Sequence, residues 1–283
     1  MIKTLINRIF GKEKTNNTSK EQVINHTKSQ NLSTIEPSNS TANEISTRLS
    51  SEFNNSQNLT WGRAGYNEHV RDSETLKKSL SDMATVTHAG DGNFASVLLV
   101  SPVDDTPPIA AKIGMDEKYH AFVTEIVNEI NNEEDGFPNQ YLPRIYSTTS
   151  FTSPLGEGHI YCMEELQEIG EPDLPEDVRN DITKQFKNII HISKVSEIGQ
   201  RYSSPEALAQ AVDELSLDAT DALEKIIEYS QKNDTILDIG GSNIMLRVGE
   251  DKENAHLVIT DPLWGGDDNV PDFSKSKDDE PTI

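Results

Sequence analysis

The spacing of apolar residues changes along the chain, and each change predicts an element. Ala84 to Ala89 and Phe94 to Ser101 read as two strands around a Gly-Asp-Gly turn. Pro108 to Gly114 predicts a third strand. Glu117 to Asn132 has helical spacing, with Phe122, Ile126, Val127 and Ile130 on one side. Tyr141 to Thr152 and His159 to Leu166 predict two further strands. Between Pro175 and Asp234 the pattern is mostly helical, with Pro205 near the start of the last long helix. Two short strands close the series, Ile244 to Val248 and His256 to Thr260, joined by the polar turn Gly249 to Asn254. Strands with one helix, then helices, then a hairpin predict an α+β arrangement, a sheet-rich lobe followed by a helical one. No internal repeat is visible.

The ends of the chain read differently. In residues 1 to 14, Ile2, Leu5, Ile6, Ile9 and Phe10 fall on one helical face, with Lys3, Arg8, Lys12 and Lys14 around it. Such a segment suits an anionic membrane surface, a partner, an export signal or packing on the domain itself. Residues 15 to 60 are rich in Asn, Ser, Thr and Gln and poor in large apolar residues, which predicts a disordered linker. The domain is expected over 61 to 266 and an acidic tail over 267 to 283.

Charge narrows the partners. The 283 residues carry a formal net charge of −23, which argues against nucleic acid and favours a basic protein partner or substrate. A single cysteine, Cys162, rules out a disulfide framework within the chain and permits a reducing compartment. The seven histidines show no metal-ligand spacing. Without a membrane-length apolar run or a conventional secretory signal, a cytoplasmic location is expected.

Four stretches carry chemistry. In Gly90-Asp91-Gly92-Asn93-Phe94-Ala95-Ser96-Val97 two glycines let the backbone approach phosphates. Phe94 is placed to cap that loop and Val97 to pack under a base. In Ala110-Ala111-Lys112-Ile113 a lysine sits on an apolar strand, where an ammonium needs a partner. Phosphates would be its ligands. The pairing acid is expected from the next helix, where Glu125 and Glu129 lie one turn apart and Glu125 is preferred. In Asp238-Ile239-Gly240-Gly241-Ser242-Asn243 an Asp stands five residues before an Asn, with a strand directly after. The fourth stretch, Leu257 to Asp261, returns an acid beside Asn243. Asn243 and Asp261 together suit a magnesium ion carrying nucleotide phosphates.

These residues resemble the protein kinase superfamily over about residues 80 to 265. Within it they are most similar to the early kinases of short-tailed coliphages and to compact secreted bacterial effector kinases. The resemblance rests on Gly90 to Phe94, Ser242 to Met245 and Ile259 to Pro262. It implies a bilobal fold, with an antiparallel sheet and one helix over about 80 to 166 and a reduced helical lobe over about 167 to 266. ATP and magnesium would lie between the lobes. It implies catalytic roles for Lys112, Asp238, Asn243 and Asp261, with Asn243 and Asp261 holding the metal. Gly90, Gly92, Phe94, Val97, Ala110, Lys112 and Glu125 would form the nucleotide site. Cys162 to Leu166, and in it Met163, Glu164 and Leu166, would be the hinge against adenine.

Departures from the family pattern bear on regulation. Ile236 and Leu237 replace the usual His and Arg, Pro262 and Leu263 replace Phe and Gly, Ala95 replaces the third loop glycine, and Gly240 stands where many kinases carry lysine. The implied activity is a minimal serine/threonine protein kinase without a conventional activation segment, acting on host or partner proteins as a phage or bacterial effector. The competing expectations are a pseudokinase that serves as a binding module and a small-molecule phosphotransferase.

Overall fold

The structure is a computed structural model of the chain. It describes residues 39–55, 61–64, 67–70, 73–91, 95–104, 106–131, 139–153, 156–170, 172–198, 217–249 and 251–264. Residues 1–14, the acidic tail, Gly92 and Phe94 lie outside the described residues.

The first described element is a helix, α1 (Asn39–Asn55), followed by a two-stranded hairpin, β1 (Trp61–Ala64) and β2 (Asn67–Val70), and the short α2 (Ser73–Ser79). A five-stranded antiparallel sheet comes next. It is built from β3 (Ala84–Asp91), β4 (Ala95–Pro102), β5 (Ile109–Gly114), β6 (Ile145–Ser153) and β7 (Gly156–Glu164) in the order β3-β4-β5-β7-β6. One helix, α3, connects β5 to the rest. It runs Glu117–Ala121, Phe122–Val127 and Asn128–Asn131, the middle stretch being π-helical. Then follow α4 (Glu176–Ile198), α5 (Leu217–Lys232), β8 (Ile236–Leu237), the 3-10 turn Gly241–Asn243, β9 (Ile244–Val248), β10 (Ala255–Ile259) and β11 (Leu263–Trp264).

The two faces of the sheet are read from the alternation along its strands. Leu98, Val100, Ile109, Ala111, Ile113, Ile160 and Cys162 point to one face, which α1 and α2 cover with Ala42, Ile45, Leu49, Phe53 and Leu76. For residues 39–55 this corrects the expectation of a disordered linker over 15 to 60, the rest of which lies outside the described residues. Ala42, Ile45, Leu49 and Phe53 recur every three or four residues and form a buried stripe. Ser46 and Ser50, between them, are buried and hydrogen-bonded. Ser46 Oγ lies 2.6 Å from Ser147 Oγ, and Ser50 Oγ donates to the Ser150 carbonyl at 2.8 Å. Fully burying each large side chain of the stripe contributes about 1.5–3 kcal/mol, so α1 belongs to the domain.

The inner face of the sheet meets α3 and the helical part. Phe122, Val123, Ile126 and Val127 are buried there with Tyr141, Leu142, Tyr161 and Met163, continuous with Ile182 and Ile189 of α4, Leu223 and Ile226 of α5, and Ile244, Leu246, Leu257 and Ile259 of the β9–β10 hairpin. The hairpin is tied to the sheet directly. Gln167 and Leu246 exchange backbone hydrogen bonds of 2.9 and 2.8 Å. Arg247 of β9 donates Nε to Glu164 Oε2 at 2.6 Å and a second nitrogen to Glu164 Oε1. Its remaining donors reach the carbonyls of Gln140 at 2.7 Å and Leu142 at 2.9 Å. Among the described residues, no helix is long and apolar enough to cross a membrane.

Candidate functional site

A row of residues crosses the inner face of the sheet. Gly90 pairs with Val97, Val97 with Lys112 and Lys112 with Tyr161. In the row two residues further along, Leu99 pairs with Ala110 and Ala110 with Met163. Val97, Ala110 and Lys112 are half-buried, in contrast to their fully buried neighbours. A Cβ added at Gly90 or at Gly240 would meet no atom within 4 Å. Neither glycine is therefore demanded by packing, and both leave room for a ligand to come close.

Opposite this face stands the segment that contains Asp238 and Asn243. The antiparallel pair β8–β11 brings Leu237 against Leu263, and Asp238 N–H donates to the Pro262 carbonyl at 2.7 Å. The turn after Asp238 is closed by its own Asn. Asn243 Nδ2 donates to the Asp238 carbonyl at 2.7 Å, and Asn243 N–H to the Gly240 carbonyl at 3.0 Å. Thr260 N–H then donates to the Asn243 carbonyl at 2.9 Å, which sets Asp261 beside that turn. Asp238 itself is exposed.

Asp261 joins the two halves. Lys112 Nζ lies 2.8 Å from Asp261 Oδ2, in a site where the two side chains are 15% and 30% exposed. The ammonium also sits over the ring of Tyr119, 3.3 Å from its centroid. Tyr119 is fully enclosed, and burial, with the charges of Asp261 and Asp116 adding to it, holds its hydroxyl well above the usual tyrosine range. Asp116 caps α3, its Oδ1 accepting the N–H of Lys118 at 2.8 Å and of Tyr119 at 3.2 Å. Burial and the neighbouring Asp261 raise its carboxyl above the ordinary value.

Strand pairing thus places Gly90, Val97, Ala110, Lys112 and Met163 on one face of the sheet, and the Lys112–Asp261 contact joins that face to the turn that carries Asp238 and Asn243. Asn243 and Asp261 can present an amide oxygen and a carboxylate, hard donors that fit a magnesium ion completed by phosphates and water. Because the Asn243 amide nitrogen is occupied by Asp238, its oxygen is the end left to face such an ion.

Other expected residues are placed differently. Glu125 does not pair with Lys112. It is exposed and lines a surface groove with Glu228 and Tyr229, while Glu129 bonds Lys225 at 2.7 Å. Glu125 lies within the π-helical stretch Phe122–Val127, whose additional residue per turn changes the phase of the side chains along the helix. Glu164 does not offer its side chain or N–H to a base. The carboxylate is held by Arg247 and the Arg144 N–H, and its own N–H donates to the Arg144 carbonyl at 3.1 Å. Leu166 lies half-exposed beyond the end of β7.

Sequence reasoning overlooked Asp116, Tyr119 and Arg247. An aspartate directly before a helical run is a recognisable cap signal. Tyr119 stands three positions before Phe122 on the apolar side and reads as core. Arg247, on a short strand, gives no signal of its own.

No protein-family model matches the sequence, and no curated protein matches it. The crystal structure of the PF14_0431 kinase domain overlaps part of the fold, with 20% identity, 41% of this chain and 34% of that chain covered, and a TM-score of 0.25. An overlap this small carries no argument about the site.

Proposed function

We propose that the chain is a minimal ATP- and magnesium-dependent serine/threonine protein kinase, with nucleotide bound between the sheet and the helical part. The observation that supports this reading is the connection of four residues from distant stretches of sequence. Lys112 bonds Asp261, Thr260 beside Asp261 bonds Asn243, and Asn243 bonds the backbone of Asp238.

In this reading Gly90 admits the phosphates, Lys112 neutralises them, and Val97, Ala110 and Met163 line the base. Asp238, exposed at the mouth, orients the attacking hydroxyl and accepts its proton. Magnesium held by Asn243 and Asp261 would offset charge on the transferring phosphoryl group. The chain's net charge of −23 favours basic protein substrates, and a cytoplasmic site of action, in a producing or infected cell, fits the need for ATP. The protein would act as a phage-type or bacterial effector on host or partner proteins.

The test is phosphotransfer from labelled ATP to basic and acidic test proteins, comparing wild type with Asp238→Ala. Loss of a general base lowers the rate about 10²-fold or more. Equal transfer by both proteins rejects the enzyme reading. A binding module remains the second reading, favoured by the Lys112–Asp261 pair, in which the two charged groups already satisfy each other. It requires that Asp238→Ala keep full biological effect.

A further inference from the structure

A lysine that serves phosphates must be held in place without being neutralised. In this chain the helix that should supply a carboxylate does not. Glu125 is turned away, and Glu129 is bonded to Lys225. What lies against the ammonium is an aromatic face.

We propose that Tyr119 is the positioning residue for Lys112, its ring forming a seat that holds the ammonium toward the cleft when Asp261 turns to a metal ion. The proposal rests on the kinase reading of the cleft and names how its lysine is kept in place.

Geometry supports the seat from every side. Nζ stands 3.3 Å from the Tyr119 centroid, well inside the roughly 6 Å reach of a cation over a ring. Lys112 is only 15% exposed, so water competes weakly for it. The ring is held rigidly. Tyr161 packs edge-on at 4.9 Å and 86°, and the Tyr119 hydroxyl donates to Met163 Sδ at 3.9 Å. The Tyr119 N–H is fixed by Asp116. A side chain already confined by its neighbours loses little further freedom in holding the lysine.

The choice of a ring over a carboxylate has a consequence. Among the described residues Asp261 is the charged partner of Lys112, and in the kinase reading it would be needed to hold magnesium. With only Asp261, the half-buried ammonium would lose the contact that fixes its position just as it must meet the phosphates. The ring face remains, and being neutral it leaves the whole positive charge for the phosphates. Asp116 contributes at one remove, by fixing the tyrosine.

The experiment uses the full chain with Tyr119→Phe, Tyr119→Leu and a series of fluorinated phenylalanines at position 119. Tyr119→Phe keeps the face and is expected to retain kcat/KM for ATP within about threefold. Tyr119→Leu is expected to lower it by about tenfold, within the range of a desolvated cation–π contact. The fluorinated series weakens the face at nearly constant shape, so it reports even if Tyr119→Leu fails to fold. Its kcat/KM should fall with each added fluorine, and a flat series overturns the proposal. A second readout needs no activity. The Lys112 ε-methylene protons should resonate upfield in wild type and in Tyr119→Phe, from the ring current, and at ordinary positions in Tyr119→Leu. Ordinary positions in wild type overturn the seat. A wild type that transfers no phosphate but shows the upfield shift rejects the kinase reading and upholds the seat.

Discussion

Lys112 and Asp261 meet at 2.8 Å across the cleft, although 149 residues separate them in sequence. Lys112 is 15% exposed, but the Asp261 side chain is 30% exposed, and solvent at the carboxylate screens part of the attraction. A partly exposed pair contributes at most about 1 kcal/mol, whereas a metal ligand supports several kcal/mol of transition-state charge. Asp261→Asn is therefore expected to change unfolding free energy by less than about 1 kcal/mol and to lower phosphotransfer about 10²-fold or more. Urea unfolding and the transfer assay on the same preparation check both. A stability loss of several kcal/mol would make the pair a fold element.

The Arg247–Glu164 clamp is expected to behave in the opposite way. Its side chains are 11% and 8% exposed, and Arg247 also serves the Gln140 and Leu142 carbonyls. Arg247→Met strands a buried carboxylate and two carbonyls, with an expected cost of about 3–5 kcal/mol. Adding Glu164→Gln removes the stranded charge and should recover part of that loss. The double-mutant cycle measures the coupling. Strictly additive losses would show that the two groups act separately.

The sheet was legible because its strands alternate and are bounded by turn residues. Observed bounds differ from the expected ones by a few residues, as at β6, where Tyr141 to Arg144 is turn and irregular chain and the strand begins at Ile145. Helix α1 was hidden by its composition. Ser, Thr, Asn and the charged Glu44, Arg48 and Glu52 occupy the positions between Ala42, Ile45, Leu49 and Phe53, and Ser46 and Ser50 bond to β6 from inside the contact. The proximity of Asp238, Asn243 and Asp261 was legible because spacing along short loops survives in three dimensions. The partner of Lys112 was not, because a π-helical stretch changes the phase of the helix from which it was read.

Gly158 tests whether α1 is integral to the domain. A Cβ there would fall within contact distance of the Phe151 ring, which is 2% exposed and stacked on Phe53 of α1 at 4.2 Å. The ring has no free direction to move without displacing the helix. Gly158→Ala is expected to destabilise by about 1–3 kcal/mol, as overpacking does. Combined with Phe53→Ala it should cost less than the sum of the separate effects, because the vacated space accepts the ring. Thermal unfolding of the four proteins decides it, and full additivity would show that the Phe53–Phe151 stack does not transmit the strain to α1.

Two histidines should contribute a loss of stability as pH drops below about 6.5. Burial, then the neighbouring His120, hold His159 below its ordinary value of 6.5, with Glu157 and Glu117 opposing. The two rings stack at 3.8 Å, and Ser150 Oγ lies 3.1 Å from His159 Nδ1. Burial, then Arg247 and Arg144, lower His256. A histidine with a depressed folded value binds fewer protons folded than unfolded in the window beneath 6.5. Stability therefore rises with pH through that window and levels off above it. The net charge of −23 pulls the other way, because acid relieves self-repulsion. Comparing variants with wild type at each pH cancels this global contribution. His159→Gln and His256→Gln should each gain Tm relative to wild type as pH falls from 7.5 to about 5.5, while at pH 8 the loss of the ring stack leaves His159→Gln level with or below wild type. A difference curve that is flat with pH would mean that neither ring is protonated more easily on unfolding.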